Sequence, residues 1–137
     1  MDVVASRIGG QGFRWYEQPA AAGGLWSEHI IREAFSCSDI FMGDIDGDGS
    51  EDVLTSGLAM MEASPLPPSI AWFSRSVDFG GEVNFEVHWV DYDSESLVVP
   101  GDSALADMDG DGDLDVVVTC LQNDAVYWYE NQLSELD

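Results

Sequence analysis

Lysine is absent from this 137-residue sequence, and four arginines (Arg7, Arg14, Arg32, Arg75) face 27 acidic side chains. The resulting formal charge of -23 excludes nucleic acid and anionic membrane surfaces as partners, because both repel a polyanion. Without lysine there is no Schiff-base nucleophile and no ammonium to clamp a phosphate. Cysteine is scarce as well. Cys37 and Cys120 do not fall at matching points of the internal repeat described below, which argues against a shared role and leaves pairing, metal binding and free thiols open. No apolar run approaches the roughly 18 residues that span a bilayer, so membrane insertion is not expected. The opening Met1-Asp2-Val3-Val4-Ala5-Ser6 has neither the basic start nor the apolar stretch of a secretory signal. A nucleophile elbow, a Walker loop and a dinucleotide fingerprint are all missing, and the expectation is that the chain is not an enzyme.

What is present suffices for a folded core: 45% of residues are hydrophobic and 11% aromatic. The chain also repeats itself. Gly43-Asp44-Ile45-Asp46-Gly47-Asp48-Gly49-Ser50-Glu51-Asp52-Val53-Leu54 returns as Ala106-Asp107-Met108-Asp109-Gly110-Asp111-Gly112-Asp113-Leu114-Asp115-Val116-Val117, 63 positions on (44 to 107). Trp15-Tyr16 returns as Trp72-Phe73 and Trp128-Tyr129, and His29 returns as His88. These markers define one unit of about 60 residues. Asp2-Val3-Val4 matches Asp52-Val53-Leu54, so the first unit is expected to begin inside its acidic motif.

Each unit reads as short strands, since its apolar runs are brief and bounded by Gly, Asp, Pro and Ser. The strands are expected near Asp2–Ala5, Phe13–Glu17 and His29–Glu33; Ile40–Asp44, Asp52–Ser56, Ile70–Arg75 and Val83–Tyr92; and Ala104–Asp107, Asp115–Thr119 and Val126–Asn131. A four-stranded unit of this size cannot bury both faces alone, and radial repetition of such sheets makes a β-propeller. The expected fold is therefore all-β: four-stranded antiparallel blades in a partial propeller of about two and a half, with an incomplete blade over 1–36, a complete one over 37–100 and an incomplete one over 101–137. Two and a half blades fall short of a closed ring, so the expectation is that the chain continues in a longer parent, associates with copies of itself or leaves strand edges open.

The acidic loops carry the chemistry. Asp44, Asp46, Asp48 and Asp52 stand at positions 1, 3, 5 and 9, with Gly49 at position 6 free to adopt the positive φ that wraps a loop around an ion. Asp107, Asp109, Asp111, Asp115 and Gly112 repeat the arrangement, and the backbone carbonyls of Ser50 and Asp113 would serve position 7. All-oxygen ligation by flexible carboxylates favours calcium over zinc, copper or magnesium. An EF-hand would require glutamate at position 12, where this sequence has Thr55 and Val118.

These loops, the Asp-Val-hydrophobic strand after each, and the Trp-Tyr-Glu-Asn run resemble FG-GAP or VCBS repeats, the calcium-loop blades of integrin-α-like propellers. The resemblance spans nearly the whole chain. It implies that the loop joins the first two strands of a blade and that the aspartates at positions 1, 3, 5 and 9 hold calcium. It also implies an extracellular or cell-surface setting and a protein or glycan ligand. The alternatives are a lectin or the propeller part of a polysaccharide-degrading enzyme.

Three further features weigh toward architecture. His29 and His88 repeat as a structural need would, and Trp15, Trp72 and Trp128 read as packing between blades before a sugar-stacking ladder. Residues 57–69 form an insertion relative to the last unit, expected opposite the acidic loops and read first as a tolerated surface loop, with contact to a partner through Leu58, Met60 and Met61 as the alternative.

Overall fold

The computed structural model describes residues 2–6, 12–33, 39–57, 69–91 and 100–133. Residues 58–68 of the insertion, Cys37 and Tyr92 lie outside these. Among the described residues the chain is all-β, with no α-helix and hence none long and apolar enough to cross a membrane.

Ten strands form three antiparallel sheets, none of them closed. The first sheet holds β1 (Val3–Ser6), β2 (Phe13–Glu17) and β3 (Ser27–Arg32) in chain order. The middle sheet holds β4 (Phe41–Gly43), β5 (Asp52–Gly57), β6 (Ser69–Val77) and β7 (Val83–Asp91). The last holds β8 (Pro100–Ala106), β9 (Asp115–Cys120) and β10 (Ala125–Tyr129). The expected tally of three, four and three strands is what forms.

Most strand ends differ from expectation by one or two residues, and two of the shifts have a visible cause. β8 starts at Pro100, ahead of the expected Ala104, and crosses the expected unit boundary; its register shifts between Pro100 and Ser103, and an edge strand accepts a proline. β10 stops at Tyr129 because Asn131 turns its N–H away from the ladder to the Asp115 carboxylate, 2.8 Å away.

The sheets stack face to face. Val4, Phe13 and Ile31 of the first sheet pack on Val53, Ala71 and Phe73 of the middle one, with the Phe13 and Phe73 rings edge to face at 4.8 Å. Across the other face of the middle sheet, Leu54, Ile70 and Trp72 meet Val116, Val118 and Tyr129 of the last. With both faces covered, β5 is buried at every position, so its Asp-Val-Leu-Thr-Ser-Gly has lost the polar alternation of a half-exposed strand.

The tryptophans mark a common register. Trp15 pairs with Val4, Trp72 with Leu54 and Trp128 with Val117. In the first two sheets a histidine then stacks on the indole at 4.1 Å between centroids, His29 on Trp15 and His88 on Trp72. The repeated histidines are ring-stacking partners, with Glu17 and Ser74 as their polar contacts.

Polar links join the middle and last sheets. Asp39, just ahead of β4, accepts from the backbone N–H and hydroxyl of Ser56 in β5 and from those of Ser103 in β8. Tyr129 donates to Asp91 at 2.7 Å, and the Asn131 amide donates to the Ile45 carbonyl at 2.8 Å. Burial first, and then the Asp91 hydrogen bond, hold the Tyr129 hydroxyl well above the ordinary tyrosine range. A folded-state pKa above the unfolded one means that this link is intact below the unfolded value, about pH 10, and lost as the pH climbs toward the folded value. Tyr129→Phe should therefore cost about 1 kcal/mol at neutral pH and flatten the alkaline limb of a melting profile against pH.

Candidate metal centre

Both acidic loops connect the first two strands of a sheet, β4 to β5 and β8 to β9. Their backbones wind alike. Gly47 and Gly49 have φ of 74° and 86°, and Gly110 and Gly112 have 84° and 101°. A Cβ at any of the four would meet nothing within 4 Å, so glycine is required there by conformation and not by space. Sequence reasoning anticipated the glycine at position 6 but not the one at position 4.

Within each winding, carboxylates accept from backbone N–H groups two residues ahead. Asp46 accepts from Asp48 and Asp48 from Ser50; Asp109 accepts from Asp111 and Asp111 from Asp113. Asp44 accepts from Gly49 and Asp107 from Gly110. These bonds point the side chains inward. Asp44, Asp46 and Asp48 bring one oxygen each within 4.8 Å of the others, as do Asp107, Asp109 and Asp115.

The position-9 aspartates have a second task. Asp52 is fully buried and accepts from the N–H of Ile45 at 3.0 Å and of Arg75 at 3.1 Å. Asp115, also fully buried, accepts from Met108 and Asn131, both at 2.8 Å. The first sheet keeps half of this clamp, the Gln18 N–H donating to Asp2 at 3.0 Å. Position 9 thus ties the loop to the end of the third strand. Each carboxylate oxygen keeps a further lone pair for a cation. Burial, outweighing the backbone bonds from Arg75 and Ile45, raises the Asp52 carboxyl above its usual range.

The donor set fits a hard divalent ion. It is all oxygen, and Asp44 Oδ1 is buried with no hydrogen-bond donor, an orphaned acceptor in the cluster where a cation would sit. The ion pair of Arg14 with Glu28 and the hydrogen bond between His29 and Glu17 both lie in the first sheet, away from the loops. Of the predicted ligands, Asp44, Asp46, Asp48, Asp107, Asp109 and Asp115 converge. Asp111 orients the Asp113 backbone, and Asp52 stands outside the first trio as a clamp.

Beside the first loop, a cleft of about 520 Å³ opens between the first two sheets, lined by Asp2, Trp15, Met42, Ser50, Glu51 and Arg75. Comparison with protein-family models, with curated proteins and with solved structures finds no match to this chain.

Proposed function

We propose that the chain is a run of calcium-loop β-propeller blades of the FG-GAP or VCBS kind, with blades over 1–36, 37–100 and 101–137. It serves as an extracellular recognition or adhesion scaffold, and calcium is structural. The observation that carries this reading is the pair of matching loops, each gathering three carboxylates within 4.8 Å, one with an orphaned buried oxygen. Three antiparallel sheets stacked with one register of Trp pairs support the blade assignment. Recognition of a protein or glycan partner follows from the family resemblance, as does the extracellular setting.

The ion's part is electrostatic. It offsets repulsion among clustered carboxylates and fixes the loop that sets the register of a sheet's first two strands. Calorimetric titration should give two calcium sites with dissociation constants of roughly 10⁻⁴ to 10⁻³ M, the range of extracellular modules. Asp46→Asn and Asp109→Asn should each remove one site and spare the other. A titration with no binding heat at millimolar calcium, or with magnesium equally effective, would defeat the assignment.

A further inference from the structure

The two ends of the stack are opposite halves of an interface that the chain already makes twice. The first sheet packs onto the middle one through Val4 and Phe13, and the middle sheet packs onto the last through the residues in the same repeat positions, Leu54 and Ile70, with Trp72 beside them. The receiving residues also correspond, Val53 and Phe73 in one junction and Val116 and Tyr129 in the other. Every sheet thus has a leading face and a receiving face.

In the last sheet the leading face is bare. Val126 occupies the position of Ile70, yet the two are 66% and 1% exposed. Met108 occupies that of Ile45, at 51% against 5%. Trp128, the counterpart of Trp72, is exposed beside Val126. At the other end the receiving face of the first sheet is open around a buried Arg14: Val3, in the position of Val53, is 47% exposed against 1%, and Ile30 and Trp26 are exposed as well. At the centre of each face, Ile70, Ile45 and Val53 are buried in the junctions while their counterparts Val126, Met108 and Val3 are exposed; the margins, with Phe41, Met42 and Trp89, stay partly open even there.

We infer that the chain associates head to tail with a second copy of itself, the leading face of one copy's last sheet docking on the receiving face of the other's first sheet. The occupant is argued from the internal junctions, where these same two face types are already mated. The contact is heterologous, so it leaves one free face of each kind on a pair and proceeds to a closed ring or a growing chain. The inference rests on repeat packing and is independent of what the acidic loops bind. With a charge of -23 per copy, association requires screening and should strengthen with salt.

Sedimentation equilibrium on the full 14.9 kDa chain at moderate salt tests this. The expected result is mass above the monomer. Val126→Glu blocks the leading face and Ile30→Glu the receiving face, and each alone should give a monomer. Mixed, the two should form a species of twice the monomer mass and nothing larger, because each carries the half the other has lost. Both positions are on the surface, circular dichroism checks the fold, and Val3→Glu replaces Ile30→Glu should that variant unfold. A wild-type monomer at every concentration and salt overturns the inference and leaves these faces to some other occupant. Loss of association with Val126→Glu but not with the first-sheet variants overturns it too, since that pattern means like faces pairing.

Discussion

Chelating calcium should lower the melting temperature of this chain by about 10 °C. Calcium at ten times its dissociation constant adds about 1.4 kcal/mol per site through mass action, so two sites contribute roughly 3 kcal/mol. In a domain of this size each kcal/mol moves the midpoint by about 3 to 5 °C. The effect reaches the core because the loops end in Asp52 and Asp115, which are buried and bonded to the third strand's end in each sheet. Acid should narrow the gap between loaded and chelated samples. The raised Asp52 pKa means that the metal-free fold gains from protonation as the pH falls through the folded value, whereas an ion needs the cluster ionised. Scanning calorimetry with calcium and with chelator, at moderate salt and two pH values, checks both parts. Equal midpoints would show that the loops carry no stabilising ion.

Strand positions were legible because brief apolar runs bounded by Gly and Asp have few other ways to fold. β2 matches its expected span, Phe13–Glu17, residue for residue. The winding of the loops was legible because interposed glycines accept the positive φ that a tight loop needs, as Gly49 and Gly112 do. The task of position 9 was hidden. Asp52 is held by the backbone N–H of Arg75 and Asp115 by that of Asn131, and a backbone donor leaves no trace in side-chain identity. The indole–imidazole stacks were legible only as repetition, since a recurring His gives its register but not the ring facing it.

Asp39 was missed altogether, although a signal existed: it lies 63 positions before Asp102, the offset of the acidic loops. A lone aspartate ahead of a strand matches no motif, and its importance comes from contact with a sheet far along the chain. The pair of positions shows how much a neighbouring sheet decides. Asp39 is partly buried between sheets, whereas Asp102 is exposed and meets Thr119 through its own backbone N–H and carbonyl.

Asp39→Ala should destabilise the chain by about 3 to 5 kcal/mol, because it strands buried donors on two sheets at once. Ser56 is fully buried, and its N–H and hydroxyl reach Asp39 Oδ1 at 3.0 and 2.7 Å. Ser103 is nearly as buried, and its hydroxyl reaches Oδ2 at 2.7 Å alongside its N–H. Alanine removes both accepting oxygens, although the Ser56 hydroxyl keeps the Gly101 carbonyl at 3.3 Å. Asp102→Ala, at the equivalent repeat position, should change stability by no more than about 0.5 kcal/mol, since its bonds to Thr119 run through the main chain. Asp39→Asn should fall between, keeping one accepting oxygen and presenting an amide N–H₂ to the other serine. Urea denaturation of the three variants gives the comparison. In a double-mutant cycle with Ser103→Ala, Asp39→Ala should show coupling of about 1 kcal/mol or more. Equal losses for Asp39→Ala and Asp102→Ala would mean that the carboxylate acts within its own sheet and does not join the middle sheet to the last.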